Sequence, residues 1–193
     1  MCLAFIILRR KLLSNTFLTA DLHFGHIGVT KFLREDGTKL RPWDNYCEMD
    51  EALVDNWNSV VRPKDKIYVL GDVVINRRAF PTLARLNGEK ILVKGNHDLF
   101  QLKEYLPYFK DIRAFGTLDG FCLTHVPIHP DSLGRWKGNW HGHLHNNVVW
   151  EQYDDFSCHE QRPDSRYMCL SVEHTNFTPI NLEDAKKKFK EQQ

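Results

Sequence analysis

Short runs of apolar, β-prone residues punctuate the chain, and several stop abruptly at an acid or a histidine. Residues 16–20 (Thr-Phe-Leu-Thr-Ala) run into Asp21, and residues 66–70 (Lys-Ile-Tyr-Val-Leu) into Gly71 and Asp72. Residues 90–94 lead into Gly95-Asn96-His97-Asp98, and residues 120–124 into His125. Each reads as a short β-strand. Between the first two, Tyr46, Met49, Leu53, Trp57 and Val60 are spaced 3, 4, 4 and 3 apart, which predicts a helix over 45–60 with one apolar face. A shorter helix is predicted over 77–86, a strand over 167–172 and a Lys-rich helix over 182–193. Strand–helix–strand alternation implies parallel pairing with right-handed crossovers. Beyond residue 110 the strands follow one another without helices, which predicts antiparallel hairpins. In open α/β sheets the carboxyl ends of parallel strands converge on one crevice. Four strand ends therefore bring polar groups to one edge.

Composition changes this picture little. The 193 residues are 42% hydrophobic and 26% charged, an ordinary globular make-up for one domain over residues 1–193. A net charge of +1 argues against a protein that lives on non-specific phosphate-backbone contacts. Five scattered Cys without a CxxC pair predict no disulfide framework and fit a reducing cytoplasm. The apolar run 2–8, followed by Arg9, Arg10 and Lys11, is too short for a bilayer and lacks signal-peptide order. It reads as an N-terminal strand or a leader, and no membrane partner is expected.

The chemistry lies in the histidines, of which there are ten. In order along the chain stand Asp21-x-His23, Gly71-Asp72, Gly95-Asn96-His97-Asp98, His125 and Gly142-His143-x-His145. This ordered set resembles the calcineurin-like metallophosphoesterase superfamily, whose five motifs are D-x-H, G-D, G-N-H-[D/E], H and G-H-x-H. The resemblance spans residues 21–145, about two thirds of the chain. Its surroundings, Asp21 to His26 and Arg41-Pro42-Trp43, resemble small bacterial and phage members.

The resemblance implies an αββα sandwich of two mixed β-sheets flanked by helices. It implies two divalent transition-metal ions, manganese first, with iron, nickel, cobalt or zinc as alternatives. Asp21, His23 and His145 would hold one ion, and Asn96, His125 and His143 the other. Asp72 would bridge them, one carboxylate oxygen to each. A metal-bound hydroxide would attack phosphorus, and His97 would protonate the leaving oxygen, with Asp98 orienting its ring. Asn96 would also touch substrate. The expected substrate is a phosphate ester, with nucleotide-type or cyclic phosphodiesters favoured. A phosphomonoesterase, a nuclease and a non-catalytic metal-binding scaffold are the alternatives, and no stable nucleic-acid partner is expected. His26, three residues past His23, is a candidate substrate contact, with a loop role equally open. Arg41 with Trp43 is a candidate phosphate and base contact, set against a plain turn before the helix. Trp136, Trp140 and Trp150 either wall the cleft or fill the second sheet. Residues 146–193 carry no motif, and 152–166 read as a polar surface excursion.

Overall fold

The computed structural model describes residues 14–151 and 162–193; the 2–8 run and most of the 152–166 excursion lie outside them. Two mixed β-sheets pack face to face. The first contains β1 (Thr16–Thr19), β2 (Lys66–Val69), β3 (Glu89–Val93), β4 (Asp111–Arg113) and β9 (Ile180–Asn181), in the order β4-β3-β2-β1-β9. Strands β1 to β4 are parallel and β9 is antiparallel to β1. The second sheet contains β5 (Gly116–Leu118), β6 (Phe121–Leu123), β7 (Asn139–His141) and β8 (Tyr167–Cys169), in chain order.

The strands are apolar because both faces are covered. On the first sheet Phe17, Ile67, Val69 and Leu92 turn to the helical side and join Met49, Leu53, Val54 and Trp57 of α1 (Tyr46–Val60). The alternate residues Leu18, Tyr68, Leu70, Ile91 and Val93 face the second sheet and meet Phe121, Leu123, Trp140 and Met168. A period of two thus sends successive side chains into two different cores. Trp140 is fully buried, stacked on Phe121 at 4.0 Å between ring centroids, so it fills the sandwich and does not wall a cleft. Trp136 packs against the outer face of the second sheet, and Trp150 is half exposed. The last helix, α3 (Leu182–Glu191), buries Ala185 and Phe189 in the inter-sheet core.

Two expectations are corrected. The 77–86 segment is a 3-10 helix over Arg77–Arg85, because Pro81 lies inside it and lacks the N–H an α-helix needs. The strands after residue 110 are not simply hairpins: β5 and β6 form an antiparallel hairpin and β9 is antiparallel to β1, but β4 lies parallel to β3, and β6, β7 and β8 are parallel. The longer connections between β6, β7 and β8 allow that pairing. The third α/β crossover carries the short α2 (Leu102–Tyr105), too brief to leave a periodic signal.

Helix α1 carries one polar side chain inward. Asp50 is buried, and its carboxylate accepts the Gly25 N–H at 2.9 Å, tying the helix to the loop after β1. Burial, only partly offset by that bond, pushes its pKa up to about 7. A carboxyl raised from an unfolded value near 3.8 binds its proton more tightly in the folded state. Folding stability should therefore fall as pH rises from about 4 to about 7. Urea unfolding across this window should show that decline, flattened in Asp50→Asn; equal slopes in both proteins would contradict the assignment.

Candidate metal centre

Asp21 ends β1, and its two carboxylate oxygens are treated differently. Oδ2 accepts from Ser171 Oγ at 2.7 Å and from the backbone N–H of His143 at 2.9 Å. Oδ1 is buried without a hydrogen-bond partner, 3.7 Å from His23 Nε2. Asp72, after β2, repeats the arrangement. Its Oδ1 accepts the backbone N–H of His97 at 2.8 Å, while Oδ2 lies 3.7 Å from His23 Nε2 and 3.3 Å from His125 Nε2. Each carboxylate has one oxygen anchored by the protein and one turned to imidazoles. In Asp72 it is Oδ2 that lies near imidazoles on both sides, while Oδ1 accepts a backbone N–H.

The imidazoles are oriented by acceptors behind them. His125 donates from Nδ1 to the carbonyl of Leu70 at 2.8 Å, which leaves Nε2 toward Asp72 and 2.7 Å from Asn96 Oδ1. Asn96 Oδ1 is also 3.0 Å from His143 Nδ1. His145 Nδ1 is 3.1 Å from Glu173 Oε1, and its ring lies 5.0 Å from that of His23. Asp21, His23 and His145 form one group, and Asp21, Asp72 and His125 another, with ligand atoms within 4.8 Å of one another in each. Asn96 and His143 meet the cluster from its open side. The chain thus brings all seven predicted ligands to one edge of the sandwich.

Burial opposes charge on Asp21 and Asp72. The His23 contact for Asp21, and the His125 contact for Asp72, nonetheless hold both carboxyls below their usual range. Burial likewise opposes protonation of His125, and the Asp72 and Asp21 carboxylates outweigh it, raising its pKa.

Three observations fit a metal site. Asp21 Oδ1 and both ring nitrogens of His23 are buried polar atoms with no hydrogen-bond partner, and a cation would satisfy Asp21 Oδ1 and one of those nitrogens. Asp21, His23, Asp72, His143 and His145 all have left-handed backbones, with φ between 52° and 69°. Asp and His tolerate that region better than most residues, yet each such residue costs about 1–3 kcal/mol, strain that clusters at functional sites. Glycines open the space: a Cβ at Gly95 would lie 2.2 Å from Asp72 Oδ1, and one at Gly142 would lie 2.4 Å from Asp21 Oδ2.

Other predicted residues sit differently. His97 is exposed at the mouth, its ring 5.9 Å from His23. Asp98 does not orient that ring, because its buried carboxylate accepts the backbone N–H groups of Asp72, Val73 and Gly95 at 2.8–2.9 Å. It ties the loops after β2 and β3 together instead. Arg41 is not a substrate contact. It is fully buried, donating to the carbonyls of Asp21 and Leu22 and, at 2.8 Å, to Glu173 Oε1. Trp43 packs edge-on against Phe177. His26 stacks on His23 at 5.3 Å, and burial lowers its pKa to about 4. His141 is buried with Nδ1 bonded to the Gly142 carbonyl.

Sequence reasoning missed Ser171 and Glu173. No motif marks them; the topology delivers them. After β8 the chain leaves the second sheet and pairs Ser171 with Ala20 at the end of β1. An acid 28 residues beyond His145 carries no local signal of this.

These features define a two-sheet α/β protein with a candidate metal centre at the junction of its sheets. No family model matches the chain. It is 33% identical over 171 residues to the uncharacterized protein MJ1445 of Methanocaldococcus jannaschii, covering 86% of each chain. The chain belongs to the family of that archaeal protein. Among solved structures, the protein of unknown function AQ665 from Aquifex aeolicus has a similar fold, with a TM-score of 0.63 and 22% identity over 91% of this chain and 99% of that one. An archaeal phosphodiesterase aligns at a TM-score of 0.42 with 17% identity, over 81% and 82%. No helix among the described residues is long and apolar enough to cross a membrane.

Gly95→Ala should displace Asp72 and weaken Mn²⁺ binding by about 10–100-fold, the size of effect seen when a metal ligand loses its support. Gly134→Ala, where a Cβ meets nothing within 4 Å, serves as control. Calorimetric titration that shows equal affinity for both would contradict the assignment of Asp72.

Proposed function

We propose that this protein is a dinuclear-metal phosphoesterase, acting on phosphodiesters of nucleotide or cyclic type. The observation that carries the reading is the pairing of two buried carboxylates, each with one anchored oxygen and one oxygen facing imidazoles. Asp21, His23 and His145 would hold one cation, and Asn96, His125 and His143 the other, with Asp72 Oδ2 between them. Divalent cations there, manganese first among them, would supply Lewis-acid charge on the phosphate oxygens and lower the pKa of water.

The chain's own groups account for the rest. Two carboxylates against two divalent cations leave the site cationic, as an anionic ester requires, and the neutral Asn96 preserves that sign. Glu173 does not reverse it, because Arg41 sits against it. His97 is held by its backbone N–H on Asp72, so its exposed ring stands at the mouth, where it donates a proton to the leaving oxygen. His26, neutral at pH 7, offers a hydrogen bond to substrate but no charge. Ile27, Leu99 and Val126, each next to a residue of the site, are exposed. Exposed apolar residues next in sequence to His26, Asp98 and His125 would suit an ester carrying organic groups on both sides of phosphorus.

Bis(p-nitrophenyl) phosphate and p-nitrophenyl phosphate should be compared on EDTA-stripped protein before and after Mn²⁺ is added. The expected result is Mn²⁺-dependent turnover that favours the diester and is abolished in Asp72→Asn. His97→Ala should slow a diester with an alkoxide leaving group by about 10²–10⁴-fold, while a nitrophenolate diester should be slowed far less. Preference for the monoester would overturn the diester assignment, and no turnover with two ions bound would favour a non-catalytic scaffold.

A further inference from the structure

The Arg41–Glu173 pair is built more elaborately than a loop clasp requires. Both side chains are fully buried. The planar fork of Arg41 reaches three oxygen acceptors at once, the carbonyls of Asp21 and Leu22 and the carboxylate of Glu173, besides the sulfur of Met49. A buried ion pair of this kind seldom adds stability over an apolar pair, so its retention points to another duty. Glu173 commits only Oε1, which accepts from both Arg41 Nε (2.8 Å) and His145 Nδ1 (3.1 Å); its Oε2 is buried without a partner. A carboxylate oxygen only accepts, so this contact places the imidazole proton on Nδ1 and leaves Nε2 as the lone-pair nitrogen that His145 can offer to the group with Asp21 and His23.

We infer that Glu173, held in place by Arg41, is a positioning residue that fixes the tautomer and orientation of His145 and thereby sets the affinity of the inner cation site formed by Asp21, His23 and His145. The inference rests on the metal-centre reading above. It also makes the two positions unequal. His145 is backed by a buried charge, whereas His143, at the open side, is joined to Asn96 by a neutral amide oxygen. The inner position is the tighter one. A conservative variant separates positioning from simple stability, since the amide oxygen of Gln can still accept from His145 while the charge opposite Arg41 is gone.

The test uses the metal-free protein as wild type, Glu173→Gln and Glu173→Ala. Thermal unfolding in EDTA gives the stability of each. Calorimetric titration with Mn²⁺ gives the affinity of each site, and nitrogen-15 NMR at pH 9 gives the ring protonation of His145. Wild type and Glu173→Gln should both carry the proton on Nδ1. Glu173→Gln should bind the inner ion within tenfold of wild type despite a lower melting temperature. Glu173→Ala should lose the Nδ1–H signature and bind that ion about 10–100-fold more weakly, with the outer site unchanged. Wild-type inner affinity in Glu173→Ala, or equal losses in Gln and Ala that follow their stabilities, would overturn the positioning role. A wild type that binds no Mn²⁺ would overturn the metal-centre reading itself, and this inference with it.

Discussion

Asp21 is the constraint on which the rest of the site depends. Its Oδ2 is the seam between the two sheets, tied to the hydroxyl of Ser171 and to the backbone N–H of His143. Those two residues reach it from the ends of β8 and β7, and Ala20, one position earlier, pairs with Ser171 across the same junction. With Oδ2 committed, Oδ1 has one direction left, toward His23. The same residue adopts a left-handed φ of 58°, and its backbone carbonyl takes a hydrogen bond from Arg41. A buried carboxylate without partners would take up a proton, since the charged form is costly in a low dielectric. Here the surrounding imidazoles and hydrogen-bond donors keep it ionised, and the site is prepared for a cation before one arrives.

The same logic extends outward through backbone groups. Asp98 holds the loops after β2 and β3 by three N–H bonds, which places Asp72 and His97 relative to each other. Asp50 holds the loop after β1 from the helical side. Buried acids that accept main-chain N–H groups thus fix the loops, leaving Asp21 Oδ1 and the ring nitrogens of His23 without hydrogen-bond partners. Strain at five candidate ligands is maintained by these anchors and by the two cores that the alternating strands fill.

Much of this was legible in the sequence. The runs that end at Asp21, Asp72, Asn96 and His125 are strands because they feed two cores, and their abrupt ends are the sheet edge. The five ordered motifs brought the seven ligand candidates into view without any structure. What escaped was carried by long-range topology. Glu173 and Ser171 join the site only because the chain after β8 crosses back to β1, and nothing local predicts that crossing. Arg41 looked available in a polar stretch, Arg-Pro-Trp-Asp, but its fork is occupied inside the fold. The acid beside His97 suggested a ring partner, whereas Asp98 points away to the backbone. Parallel pairing of β6 with β7 was hidden because that crossover carries a short 3-10 turn rather than a periodic helix.

The proposed phosphoesterase chemistry requires two cations at this junction that share Asp72. Anomalous diffraction from crystals grown with Mn²⁺ tests it most directly. Two peaks, with Asp72 Oδ2 between them and Asp21 Oδ1, His23 and His145 around the inner one, are the predicted result. Manganese bound elsewhere, or a junction that stays empty at saturating Mn²⁺ with Asp21 Oδ1 uncoordinated, would contradict it.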